Sequence, residues 1–319
     1  MASDPAIDLA NLDDAAFVRL YKGRIEPCFV ANEEGRVVAV AAFKRRGLIV
    51  TGATVVIAVL VWVLTRSWVA GAVIAMFGAI GGGIYAYQPL AKVAEKLKRE
   101  YCAAIAQAMD ASFQIGAFQP PAFERIKQLR LLPNFDRSHF EDLFQGAHKD
   151  SRFDLYEARL EQRRTDSKGR THYTTVFRGQ LIRMHFPRAF LGTTIVRRDA
   201  GVFNAFGGGG KLERVRLTDP HFERTFEVWG TDQVEARYLV HPVMMERLLA
   251  MEQGFHGKRL RCAFEGGDLL VAVEGGDLFE AGDLFKPLAD PARARRIVDE
   301  IAGVVRVMDQ VVTAQARRT

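Results

Sequence analysis

Polar and apolar positions along the chain follow three successive patterns. In residues 12–46, Phe17, Leu20 and Tyr21, and later Val37 to Phe43, stand among charges at helical spacing. This stretch is expected to be largely helical, with Pro27 interrupting it. The second pattern is continuous. Gly47 to Leu64 and Ser67 to Tyr87 contain no charged residue, and Thr65, Arg66 and Ser67 make the connection. A helix needs about 20 apolar residues to cross about 30 Å of hydrocarbon. Backbone groups in lipid must also pair within the segment. Two antiparallel spanning helices, 47–64 and 67–87, are the expected result, forming a hairpin within residues 47–88. Leu90, Val93, Leu97, Tyr101 and Ile105 then continue at helical spacing, so residues 89–118 should prolong the second span outside the membrane, with Pro89 as a kink point.

The third pattern begins after the Gln119-Pro120-Pro121 loop and fills residues 119–319. Short helices are expected over Phe123 to Leu132 and Ser138 to Gln145. Phe153 to Arg164 alternates, with Tyr156, Ala158 and Leu160 on one face and Glu157, Arg159 and Glu161 on the other. A turn at Asp166 to Gly169 leads to a return strand, His172 to Phe186, and Thr193 to Arg197 reads as a third strand. Phe222 to Trp229 and Val234 to Val240 are expected to pair as strands across Gly230-Thr231-Asp232. Pro242 opens a helix through Met251. Arg259 to Phe264 and Leu269 to Val273 form a hairpin, and a helix from Pro291 to about Ala314 closes the chain. The fold class is therefore α+β: a two-helix transmembrane hairpin, then a mainly antiparallel sheet with flanking helices and a C-terminal helix. Most strands show one polar face, which predicts helices on one side of the sheet.

Flanking residues orient the hairpin. Trp62 and Trp68 bracket the turn, while Tyr85 and Tyr87 close the far end, as expected of membrane-interface aromatics. Lys44, Arg45 and Arg46 precede the first span and Lys92, Lys96, Lys98 and Arg99 follow the second; the turn holds Arg66 alone. By the positive-inside rule both termini are cytoplasmic, at an inner membrane. The same cluster could bind anionic lipid headgroups. Gly71, Ala75, Gly78, Ala79 and Gly82 form a small-residue stripe suited to close helix contact, either within the hairpin or between copies.

Bulk composition adds little to this. The 319 residues are 49% hydrophobic and 26% charged, which excludes a mainly disordered chain. The net charge of +6 lies partly beside the spans, and no basic–aromatic motif points to nucleic acid. Cys28, Cys102 and Cys262 are too far apart for a zinc motif or a disulfide framework.

Candidate chemistry is sparse. Gly207 to Gly210 before Lys211 lacks the first glycine and the Ser or Thr of a phosphate loop, so a flexible loop is expected. The seven histidines lack metal-site spacing. Glu265-Gly266-Gly267-Asp268-Leu269 recurs at Glu274 to Leu278, with an echo at Glu280 to Leu284; the first two copies read as turns at opposite ends of one strand. Asp232, Glu235 and Arg237 are the candidate ligand or partner contacts, with Glu235 and Arg237 on one strand face. No catalytic residue, cofactor site or metal site is assigned, and the pattern points away from an enzyme.

Thr175-Val176-Phe177-Arg178-Gly179, Asp232 to Tyr238, Pro242 with Met245-Glu246-Arg247-Leu248, and Leu278-Phe279 followed by Pro287 together carry a family resemblance. Over roughly residues 40–310 the chain resembles the bacterial membrane proteins grouped as domain of unknown function 3137. That family has no established activity, so no catalytic role carries over. Its members are often encoded near LemA-like membrane proteins, which the resemblance implies as candidate partners. The expectation is a non-enzymatic interaction or assembly module, possible as a homo-oligomer; a membrane-tethered enzyme or small-ligand sensor and a lipid-headgroup binder are the alternatives.

Overall fold

A computed structural model describes residues 12–108, 111–198, 212–254, 259–276 and 284–316. The Gly207 to Gly210 run, Lys211, His256 and Leu278-Phe279 lie outside these residues, as do Asp277 of the second acidic Gly-rich copy and Glu280 to Asp283 of the third. The chain divides into two compact units. One comprises Arg19–Ala104 with Glu280–Ala294; the other comprises Met1–Val18, Ile105–Phe279 and Arg295–Thr319.

The first unit is built on two long helices, α2 (Glu26–Thr65) and α3 (Trp68–Ala108), which follow the short α1 (Asp14–Leu20). Between α1 and α2 the chain makes a π-helical turn, Tyr21–Ile25, in which the Glu26 N–H reaches the Tyr21 carbonyl. Pro27 therefore does not interrupt a helix. It stands in the first turn of α2, where its missing N–H leaves no bond unmade. A helix of 40 residues is about 60 Å long, roughly twice the hydrocarbon thickness of a bilayer. The polar ends of α2 and α3 pack on each other through Phe29 and Tyr101, whose rings stack at 5.1 Å, and through Asn32, which donates to Glu100 at 2.5 Å. Arg36 chelates Glu33 and donates to the Leu284 carbonyl at 2.9 Å, tying residues 284–290 to α2. Arg66 adopts a left-handed conformation (φ 54°) that ends α2 and turns the chain into α3. Helix α3 runs through Pro89.

The second unit is a sheet of nine antiparallel strands among the described residues: β1 (Ser112–Gln114), β2 (Arg137–His148), β3 (Ser151–Thr165), β4 (Thr171–His185), β5 (Thr194–Arg198), β6 (Glu213–Val215), β7 (Phe226–Gly230), β8 (Arg261–Glu265) and β9 (Asp268–Glu274). Their order is β1-β2-β3-β4-β9-β8-β5-β7-β6. Helices α4 (Phe123–Gln128), α5 (Pro220–Thr225), α6 (Gln233–Leu239), α7 (Pro242–Gly254) and α8 (Pro291–Ala316) flank it.

Four sequence expectations are corrected here. Ser138 to Gln145 is part of β2. Phe140, Leu143 and Phe144 imitate helical spacing because of a bulge: the register leaves Asp142 and Leu143 together opposite Tyr156, with Asp142 at φ 59°. Val234 to Val240 is helix, not strand. The Asp232 carboxylate accepts from the Val234 and Glu235 N–H groups and caps α6, and an Asp-x-x-Glu start was the overlooked signal. Likewise Asp219 caps α5, so β7 begins only at Phe226. The sheet is also covered on both sides at its centre. On one face Tyr156, Leu181 and Ala272 align across three strands beneath Phe123 and Ile126. On the other, Leu155, Ile182 and Val271 align and are just as buried.

Lys149, at the turn between β2 and β3, donates to Asp309 of α8, with His148 Nε2 3.2 Å from the same carboxylate. The Lys149 ammonium and His148 hold the Asp309 carboxyl below its usual range. A lowered folded-state pKa contributes stability above about pH 4, and that stability is lost as pH falls through the folded value. Asp309→Asn should therefore be less stable than the wild type in urea melts at pH 7, with the difference shrinking toward pH 3.

Candidate functional site

The small residues of α3 face α2. A side chain built on Gly82 would overlap Val50, and one on Gly78 would overlap Thr54; at Gly71 it would meet the Ala58 carbonyl oxygen at 3.0 Å. Ala75 is exposed, and the half-buried Ile74 takes its place in the seam. Away from the seam the helices are apolar and open: Leu48, Val56, Leu64, Phe77 and Ile84 are each more than half exposed. Both helices are long and apolar enough to cross a membrane. Trp62 and Trp68 flank the α2–α3 turn and Tyr85 and Tyr87 lie at the other end of the apolar stretch, all four exposed. The Arg46 guanidinium lies 4.9 Å from the centre of the Tyr85 ring. Two of the basic residues after the second apolar stretch have local partners, Lys96 with Glu100 at 3.6 Å and Arg99 with Glu95 at 3.1 Å.

Asp232, Glu235 and Arg237 do not share a strand face. Asp232 caps α6, and Arg237 donates to the Gln233 carbonyl. Glu235 is buried, and its carboxylate accepts from the Leu191 and Gly192 N–H groups at 2.8 and 2.7 Å. This fastens the loop before β5 to α6. Leu191 and Val234, neighbours of these contacts in sequence, remain 73% and 78% exposed.

The first acidic Gly-rich copy forms the β8–β9 turn, with Gly266 at φ 57°. Its Asp268 is buried and is met by three side chains from two elements, α4 and β4. Arg125 of α4 donates to one carboxylate oxygen; Arg183 Nε and His185 Nδ1 lie 3.2 and 2.8 Å from the other. Arg125 also reaches the Glu265 carbonyl and carboxylate. A carboxylate so fully surrounded is a tie between the turn, α4 and β4.

A second polar group lies on strands β2, β3 and β4, around an open pocket. Its lining includes His139, Glu141, Glu157, Arg159, Arg178 and Gln180. Register places Glu141 opposite Glu157, which is opposite Gln180; His139 stands opposite Arg159, which is opposite Arg178. Glu157 and Gln180 are buried. Sequence reading missed this pocket because it depends on the register of three strands. The available signal was a carboxylate and an amide beside apolar runs, at Glu157 after Phe153 and Leu155 and at Gln180 before Leu181 and Ile182.

The thiols are poorly disposed to nucleophilic chemistry. Burial pushes the Cys262 thiol far up, and burial together with the neighbouring Glu100 carboxylate raises that of Cys28. Among the described residues, no cluster of three or more His, Cys, Asp and Glu side chains is arranged to hold a metal ion.

No curated protein matches the chain. Among solved structures, the mycobacterial trehalose monomycolate transport factor A, TtfA, is similar at 10% identity, with 65% of this chain and 93% of that chain covered and a TM-score of 0.35. Residues 175–312 match the model of the family described as protein of unknown function (DUF3137).

Proposed function

We propose that the chain is an integral protein of the bacterial inner membrane, with both termini in the cytoplasm. Its α+β unit binds other proteins there, either a second copy or a LemA-like membrane protein. One observation carries this reading: the outer surface of the α2–α3 hairpin is apolar and exposed over the whole uncharged stretch. Apolar surfaces of that extent are not left to water, and lipid covers them at no cost in buried polar groups. The basic residues before the first span and after the second support the cytoplasmic orientation.

The segment around Asp232, Glu235 and Arg237 is the proposed contact. Its support is the exposed apolar pair Leu191 and Val234 beside the rigid Glu235 tie, since apolar anchors on a fixed frame are what protein interfaces use. A photo-crosslinking amino acid at Val234, used in native membranes, should give one stoichiometric product that Leu191→Asp removes. Recovery of the uncrosslinked monomer alone would contradict the interaction reading.

A further inference from the structure

We propose that the pocket on β2, β3 and β4 binds a small zwitterion, a molecule carrying both an amine and an acid group. Its charge arrangement motivates the assignment. Here Glu141 faces Glu157 in one row, and Arg159 faces Arg178 in the next. Successive rows on one face are two residues apart, about 6–7 Å along the strand. The pocket is thus acidic at one end and basic at the other.

The pocket floor supplies an independent observation. Gln180 is fully buried, and its Nε2 donates to the Gly276 carbonyl at 2.8 Å, which fixes the amide orientation. Its Oε1 then has no hydrogen-bond partner. A buried acceptor needs a donor, and Oε1 lies in the same row as the two carboxylates. An ammonium group provides N–H donors for Oε1 and charge for Glu157 and Glu141. A carboxylate or phosphate at the other end of the same molecule meets Arg159 and Arg178. Free amino acids or short peptides and an ethanolamine-phosphate headgroup share this chemistry.

The test is calorimetric titration of the full chain in an uncharged maltoside detergent. The probes are 4-aminobutanoate and glycerophosphoethanolamine, with butanoate and butylamine as single-ended controls. At least one zwitterion should bind with a dissociation constant of about 1 mM or tighter, and each control about tenfold more weakly. Which zwitterion binds identifies the source. Gln180→Met and Arg159→Gln should each weaken binding about tenfold while leaving the melting temperature nearly unchanged. Arg159 is half-exposed, so its variant decides the matter if Gln180→Met does not fold. Three results would each overturn the proposal: no zwitterion binding up to about 10 mM, controls that bind equally well, or unchanged affinity in Arg159→Gln.

Discussion

Replacing Asp268 by alanine is expected to destabilise the sheet unit by about 3–5 kcal/mol, the usual cost of removing one partner from a buried ionic cluster. Asp268 is 3% exposed, and three side chains converge on it: Arg125, Arg183 and His185. Without it Arg125 and Arg183 keep Glu265 and Asp154 as their ion-pair partners among the described residues. Arg125→Ala should cost less, because its side chain is 35% exposed and Asp268 keeps its contacts with Arg183 and His185. Urea unfolding of the full chain in detergent measures both. A loss below about 1 kcal/mol for Asp268→Ala, the range of solvated surface pairs, would mean that the cluster does not hold the turn.

The second large effect is expected in the hairpin. Gly82→Leu places a side chain where Val50 already sits, and Gly78→Leu does the same against Thr54. Overpacking of this kind costs about 1–3 kcal/mol, and more where backbone must move. Gly81→Leu and Gly83→Leu provide the contrast, since nothing lies within 4 Å of a side chain at either position. Detergent-denaturation midpoints should fall for the first pair and hold for the second. Val50→Ala should recover part of the loss in Gly82→Leu. If Gly82→Leu instead abolished a dimer and left monomer stability unchanged, the glycine stripe would belong to self-association.

Much of this architecture was legible in the chain, for identifiable physical reasons. The two long apolar helices were readable because uncharged runs of this length admit few other structures. The β8–β9 hairpin and α8 were readable because glycines and a single apolar stripe marked them; Ile297, Ile301, Val304, Val305 and Met308 are all buried. Errors arose where local pattern and tertiary context disagreed. In β2, one bulge at Asp142 turned a strand into an imitation of a helix. In α6, a seven-residue helix was too short for its period to outweigh alternating residues, and only the capping aspartate revealed it. Glu235 looked like a surface charge, yet it is buried because two backbone N–H groups from a loop 43 and 44 residues away come to it. The polar pocket was beyond reach for the same reason. His139, Glu157 and Gln180 become neighbours only when three strands settle into register.

Membrane insertion and orientation underlie every functional reading of this chain, and paired reporter fusions test both together. A reporter active only outside the cytoplasm should be silent when fused after Thr319. Placed in the turn between Arg66 and Ser67, it should be active, with the protein resisting alkaline extraction from membranes. Activity after Thr319, or a silent turn fusion on an extractable protein, would contradict the anchored hairpin with cytoplasmic termini.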